Sequence, residues 1–288
     1  MKTPKRIAPL IESGLVDEVV RPLMSGKEAD VFVVRCGEEL RCAKVYKDAL
    51  KRSFKKAVLY REGRNERNSR RARAMERNSK FGREQQEESW QTAEVDALYR
   101  LADAGVRVPK PYACLDGVLI MELITDAHGD VAPRLGEISM SPEEAVEGHR
   151  EMLRNIVLML RSGIVHGDLS EFNVLIDQHG PMIIDLPQAV DAAANNQAGW
   201  MLVRDVSAIT NYYGLFATEL LGTKYGEEIW GHYEAGTLQP ELVLTGRIEE
   251  ADDPADVAGV LEEIESVSAE EQARLQRQQE FDADQSVG

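Results

Sequence analysis

The chain has 288 residues, 43% of them apolar and 29% charged, with a formal net charge of −16. That length can bury a substantial core, as one two-lobed domain or two small ones, and the acidity argues against general nucleic-acid affinity. Its three cysteines, Cys36, Cys42 and Cys114, show neither CxxC spacing nor an even count, which argues against a disulfide framework or zinc knuckle and fits a reducing cytoplasm.

Taken in chain order, Met1-Lys-Thr-Pro-Lys-Arg-Ile7 is basic, but no apolar stretch of signal-peptide length follows it. Val19-Val20, Val31-Phe-Val-Val34 and Leu40-Arg-Cys-Ala-Lys-Val-Tyr46 read as strands, separated by Gly26 and by Cys36-Gly37-Glu38. Residues 48–60 look helical, and 61–88 are polar, Arg-rich and nearly devoid of apolar residues, which predicts a flexible arm. From Lys47 to Arg83 there are 14 Lys/Arg against 4 Asp/Glu. Nucleic-acid contact is expected only through this arm, which equally fits a solvated face. Ala93, Ala97, Leu98 and Leu101 lie on one helical face, ending at Gly105 before Pro109.

The longest apolar run, Val118-Leu-Ile-Met121, is stopped by Glu122, too short to span a bilayer, so no membrane partner is expected, and Val118 to Leu123 reads as a short buried strand. Thr125 to Arg134 reads as a linker. Ser141-Pro142-Glu143-Glu144 is a helix-start signature, continued by the core stripe Met152, Ile156, Met159 and Leu160. Two short strands, 173–176 and 182–184, flank the next loop, and helices are predicted over 200–221 and 225–235. A further exposed helix is expected at 255–277 with disorder beyond it, in an acidic tail with 13 Asp/Glu against 2 Arg from Glu249 to Gly288. Strands first and helices after predict an α+β fold.

The chemistry concentrates in His166-Gly-Asp-Leu-Ser-Glu-Phe-Asn173. Phosphoryl transfer needs a carboxylate to receive or orient the hydroxyl proton, for which Asp168 is placed, and oxygen ligands for Mg²⁺, which Asn173 and Asp185 can supply. A strand lysine, Lys44, suits the phosphates of ATP, and a helix glutamate must hold it. Glu94 is the obvious partner, with Glu87 and Glu88 as rivals that spacing leaves open. Backbone N–H groups of Ser25-Gly26-Lys27 can cradle phosphates, helped by the hydroxyl and the ammonium. Singly, each has an ordinary explanation: turn residues, a solvent-facing lysine, a hairpin glycine. In this order they point together to Mg-assisted phosphoryl transfer.

Met24-Ser-Gly-Lys-Glu-Ala29, Ala43-Lys-Val-Tyr-Lys47, Ala104-Gly-Val-Arg-Val-Pro-Lys-Pro111, Ile164 to Leu175, Ile184-Asp-Leu-Pro-Gln-Ala-Val190 and Arg204-Asp-Val206 resemble the RIO family of atypical serine/threonine protein kinases, over about residues 15–245. The resemblance implies a trimmed two-lobed protein-kinase-like fold, with an antiparallel-sheet N-lobe and a mainly helical C-lobe. The expected division is an N-lobe at 1–124, a C-lobe at 125–248 and an acidic tail at 249–288. ATP with Mg²⁺ (or Mn²⁺) is implied, with a protein substrate and autophosphorylation. Ser25, Gly26, Lys27 and Lys44 would meet the phosphates and Glu94 would hold Lys44. Met121, Glu122 and Ile124 would line the adenine hinge. Asp168 would be catalytic, Asn173 and Asp185 would hold metal, and Asp205 would anchor the catalytic loop. The short region before the first strand leaves no room for the winged helix of one RIO branch, and the basic arm is similar to the flexible loop of the other. Pro187 stands where the family usually has Gly, and Met24-Ser25 replaces its usual Ser-Thr.

Two other readings use the same loop. Aminoglycoside- and choline-type kinases share His-Gly-Asp-Leu, a following Asn and a later Asp, while Ser25-Gly-Lys-Glu-Ala29 and Gln188-Ala-Val190 favour the RIO resemblance. An ATPase switch acting on a ribosome-associated partner would instead use Asp185 as phosphoryl acceptor. The basic arm, with Ser69 and Ser79, also fits a docking or autophosphorylation surface, onto which the acidic tail would fold back and compete with a partner. His128, His149, His179 and His232 are dispersed and suggest no zinc site.

Overall fold

In a computed structural model, which describes residues 4–26, 28–47 and 93–247, the first part of the chain is built around one sheet. Lys27, Glu87, Glu88, the helix expected at 48–60, the arm at 61–88 and the tail at 249–288 lie outside the described residues. Strands β1 (Glu18–Ser25), β2 (Ala29–Cys36), β3 (Glu39–Tyr46), β4 (Pro111–Leu115) and β5 (Val118–Glu122) pair in the order β1-β2-β3-β5-β4, antiparallel throughout. Pro22 is tolerated because β1 lies at an edge and its register is irregular there. β4, absent from the sequence-based expectations, is turned into β5 by Asp116-Gly117, both with left-handed φ (49° and 73°), the geometry of a two-residue hairpin.

Side chains alternate across this sheet and so fix which residues face the second lobe. Ala43 and Val45 of β3 join Val118 and Ile120 of β5 under the short helix α1 (Ala8–Glu12), with Ile7 and Leu10 fully buried against them. Residues of the opposite parity, Lys44, Tyr46 and Leu119, therefore point to the other face. That face is covered by helix α2 (93–103), which buries Ala97, Leu98 and Leu101 on the stripe read from the sequence.

The remainder is mostly helical: α3 (Pro142–Arg161), α4 (Ala198–Gly214) and α5 (Tyr225–Glu234). Ser141 caps α3 as expected, its Oγ accepting from Glu144 N–H at 3.2 Å while Glu144 Oε2 accepts from Ser141 N–H at 2.8 Å. Met152, Ile156, Met159 and Leu160 are buried in a core that also takes in Tyr46, Leu101 and Leu119. The helix expected at 200–221 stops short, at Gly214. Leu221 folds over the bare α-carbon there, and the N–H groups of Leu215, Phe216 and Ala217 turn back to the carbonyls of Tyr212 and Tyr213. Two small two-stranded sheets frame the loops between α3 and α4: β6 (Ile164–Val165) with β9 (Val190–Asp191), and the hairpin of β7 (Val174–Asp177) with β8 (Gly180–Ile183).

Candidate active site

Strand parity carries the Lys44 side chain to the face covered by α2, where burial of its ammonium demands partners. Lys44 is 8% exposed and Glu94 5%. Lys44 Nζ lies 2.6 Å from Glu94 Oε1 and 2.7 Å from Asp185 Oδ1. Tyr46, two residues on and on the same face, donates its hydroxyl to Glu94 Oε2 at 2.8 Å, so both oxygens of that carboxylate are bonded. Burial alone would lower the Lys44 pKa, but Glu94 and Asp185 outweigh it and hold the ammonium above its ordinary value. At Asp185 burial opposes ionisation, and Lys44, His166 and Arg134 overcome it to hold the carboxyl below the usual range.

The loop between β6 and β7 is tied down from below. Gly167, at φ 78°, donates its N–H to Asp205 Oδ2 at 2.7 Å, and Arg204 bonds both the Gly167 carbonyl and Asp205. Burial raises the Asp205 pKa against the pull of His166 and Arg204. The buried His166 ring spans Ile184 O (3.1 Å from Nε2) and Asp168 N–H (3.3 Å from Nδ1). Nδ1 thus accepts from the Asp168 N–H while Nε2 faces the Ile184 carbonyl. Leu169 is buried beside the ring, and Asp168 is exposed.

Asn173 and Asp185 are brought side by side by the β7–β8 hairpin. Val174 pairs with Ile183, and beyond that pair Ile184 N–H bonds Asn173 O at 3.0 Å. Asn173 Nδ2 donates to Asp168 O at 2.8 Å, which turns the amide oxygen away from that carbonyl. Asp185 takes a left-handed φ of 67°, a conformation Asp tolerates better than most residues, with Pro187 two positions on.

At the end of β1, Ser25 Oγ donates to Asp30 Oδ1 at 2.5 Å, and Lys47 Nζ reaches Ser25 Oγ (3.1 Å), Gly26 O (2.7 Å) and Asp30 Oδ1 (2.7 Å). Ser25 and Gly26 thus form a fastened turn with no bond to the Lys44 cluster among the described residues, and Lys27 lies outside them. Arg134 Nη2 lies 2.8 Å from Met24 Sδ. Met121, Glu122 and Ile124 lie where the chain leaves β5. Glu122 N–H bonds Lys110 O at 2.8 Å, Ile124 O accepts from Ala132 N–H at 3.0 Å, and the Ile124 side chain is buried with Ala132 and Met182. Sequence reasoning missed Tyr46, Asp30, Lys47 and Arg134. Period-two parity with Lys44 could have found Tyr46, whereas nothing marks Arg134 within its linker.

A strand lysine locked to a helix glutamate, an aspartate and asparagine at a hairpin mouth, and a buried aspartate under the loop define a class: two-lobed, protein-kinase-like folds. The family model described as the RIO domain matches residues 30–224. The RIO-type serine/threonine-protein kinase Rio1 of Haloferax volcanii is 35% identical over 206 residues, 71% of this chain and 66% of that protein. Serine/threonine-protein kinase rio1 of Schizosaccharomyces pombe is 29% identical over 63% of this chain and 35% of its own length. The chain thus spans just under two thirds of the archaeal relative and about a third of the fungal one. Among solved structures, the Rio2 kinase-ADP/Mg²⁺-phosphoaspartate complex from Chaetomium thermophilum shares the fold, with a TM-score of 0.54, 21% identity and coverage of 80% of this chain and 70% of that one. The chain belongs to the RIO domain family.

Proposed function

We propose that the chain is an Mg-ATP-dependent serine/threonine protein kinase, transferring the γ-phosphoryl group to a serine hydroxyl, its own included. One observation carries the reading: the buried Lys44 ammonium held between Glu94 and Asp185, which aims a fixed positive charge at the cleft. On this reading Lys44 and the Ser25–Lys27 turn meet the phosphates, and Glu94 fixes Lys44. Met121 and the Glu122 and Ile124 backbones receive the adenine. Asp168 accepts the proton of the attacking hydroxyl as its oxygen bonds to the γ-phosphorus, the bond to the β–γ bridging oxygen breaks and ADP departs.

An oxygen donor set suits Mg²⁺, and Asp185 with the outward-turned amide oxygen of Asn173 fits it, as it would Mn²⁺. The ion, when bound, would neutralise charge on the phosphate oxygens. The N-lobe then runs to residue 124 and the C-lobe from 125 to 248. No described helix is long and apolar enough to cross a membrane. The reading carries with it a cytoplasmic place of action, a protein substrate, a ribosome-associated partner and nucleic-acid contact confined to the basic arm.

Radiolabelled ATP with mass-spectrometric site mapping tests this, comparing wild type with Asp168→Asn and Lys44→Met. Either variant should lose about 10²- to 10⁴-fold in phosphoserine formation. Full activity in Asp168→Asn would overturn the assignment. A hydroxylamine-labile label on Asp185 would replace it with an ATP-hydrolysing switch that passes through an aspartyl phosphate.

A further inference from the structure

Arg134 lies in a segment the sequence presents as a linker, yet its main chain is pinned beside the metal-site hairpin. Its backbone bridges Leu175, two residues beyond Asn173, while Ile176 N–H bonds Pro133 O at 2.9 Å. Its own N–H is taken by Glu137 Oε2 at 3.0 Å. From this anchorage on the second lobe the side chain crosses to the first, where Nη2 meets the sulfur of Met24, the residue before Ser25-Gly26. The guanidinium therefore stands against the phosphate-loop turn while its backbone is fixed to the strand that follows Asn173.

We propose that Arg134 is a ligand for the terminal phosphates of the nucleotide, a cationic contact delivered by the second lobe. A thioether is a neutral, weak acceptor, whereas a phosphate oxygen makes a charge-assisted bond about twice as strong, and in the fork geometry guanidinium prefers. The contact with Met24 thus holds the side chain ready near the phosphates and is readily exchanged for them. Arg134 adds a charge that Lys44 and the Ser25–Gly26 turn, both on the first lobe, do not provide from below.

The inference rests on the nucleotide reading, and its test separates the two. Calorimetric titrations of the full chain with ATP, ADP and AMP, each with Mg²⁺ present, compare wild type, Arg134→Gln and Arg134→Lys. In Arg134→Gln, ATP should bind about tenfold more weakly, the loss of one charge-assisted contact, with ADP less affected and AMP within about twofold of wild type. Arg134→Lys should fall between. Unchanged ATP affinity in Arg134→Gln, or an equal loss for all three nucleotides, overturns the assignment while leaving the nucleotide site standing. Wild-type protein that binds none of the three overturns both.

Discussion

Tyr46 ends its strand with a hydroxyl on the outer oxygen of Glu94, and this is the most consequential contact that motif reading passed over. Removing the hydroxyl leaves a buried carboxylate oxygen short of a donor, a loss of about 1–3 kcal/mol. Tyr46→Phe should therefore lower the unfolding free energy by that amount in denaturant titration. It should also reduce phosphoryl transfer, because Glu94 loses one of the two contacts that fix it against Lys44. Lys44, Asp168, Asn173 and Asp185 could be singled out from sequence because phosphoryl transfer needs their functional groups in a set order. Tyr46 and Arg134 have side chains common in unrelated settings, and only contacts across 48 and 110 residues give them meaning.

The elements that were legible are those whose periodicity is long enough to declare itself. The stripe of α2, the capped start of α3 and the three strands of residues 18–46 follow from spacing and end signals. α1, β4 and the two-residue strands β6 and β9 were not read, since elements so short draw their stability from the partner that covers them. For β4 a signal existed in Asp116-Gly117. The end of α4 was misjudged because Leu221, distant from the helix face, closes over Gly214. At α3 the reciprocal cap offers a check: Ser141→Ala should cost about 1 kcal/mol in thermal or denaturant unfolding. Affinity for ATP should stay unchanged, as the cap lies at the end of the helix far from the loop that follows Arg161.

At the scale of the whole molecule, stability and pH are linked through His149, buried on α3 with its Nε2 2.9 Å from Thr210 Oγ1 and its ring against Tyr213 and Tyr225. Burial lowers its pKa from 6.5 to about 4. A depressed folded-state value means the neutral ring favours the fold above pH 6.5, and that contribution is lost as pH falls from 6.5 toward 4. Unfolding free energy should drop by roughly 2 kcal/mol between pH 7 and pH 5, and His149→Gln should flatten that dependence. The same whole-molecule view gives the Lys44–Asp185 bond a thermodynamic meaning. It joins the two lobes through a pair that nucleotide and divalent ion would each have to divide, one taking the lysine and the other the aspartate. Whichever binds first bears the cost of separation and relieves the second of it, so each tightens the other by the same factor. On the proposed function the cleft would thereby be tuned to the metal–nucleotide complex as a single entity and would discriminate against either component arriving alone.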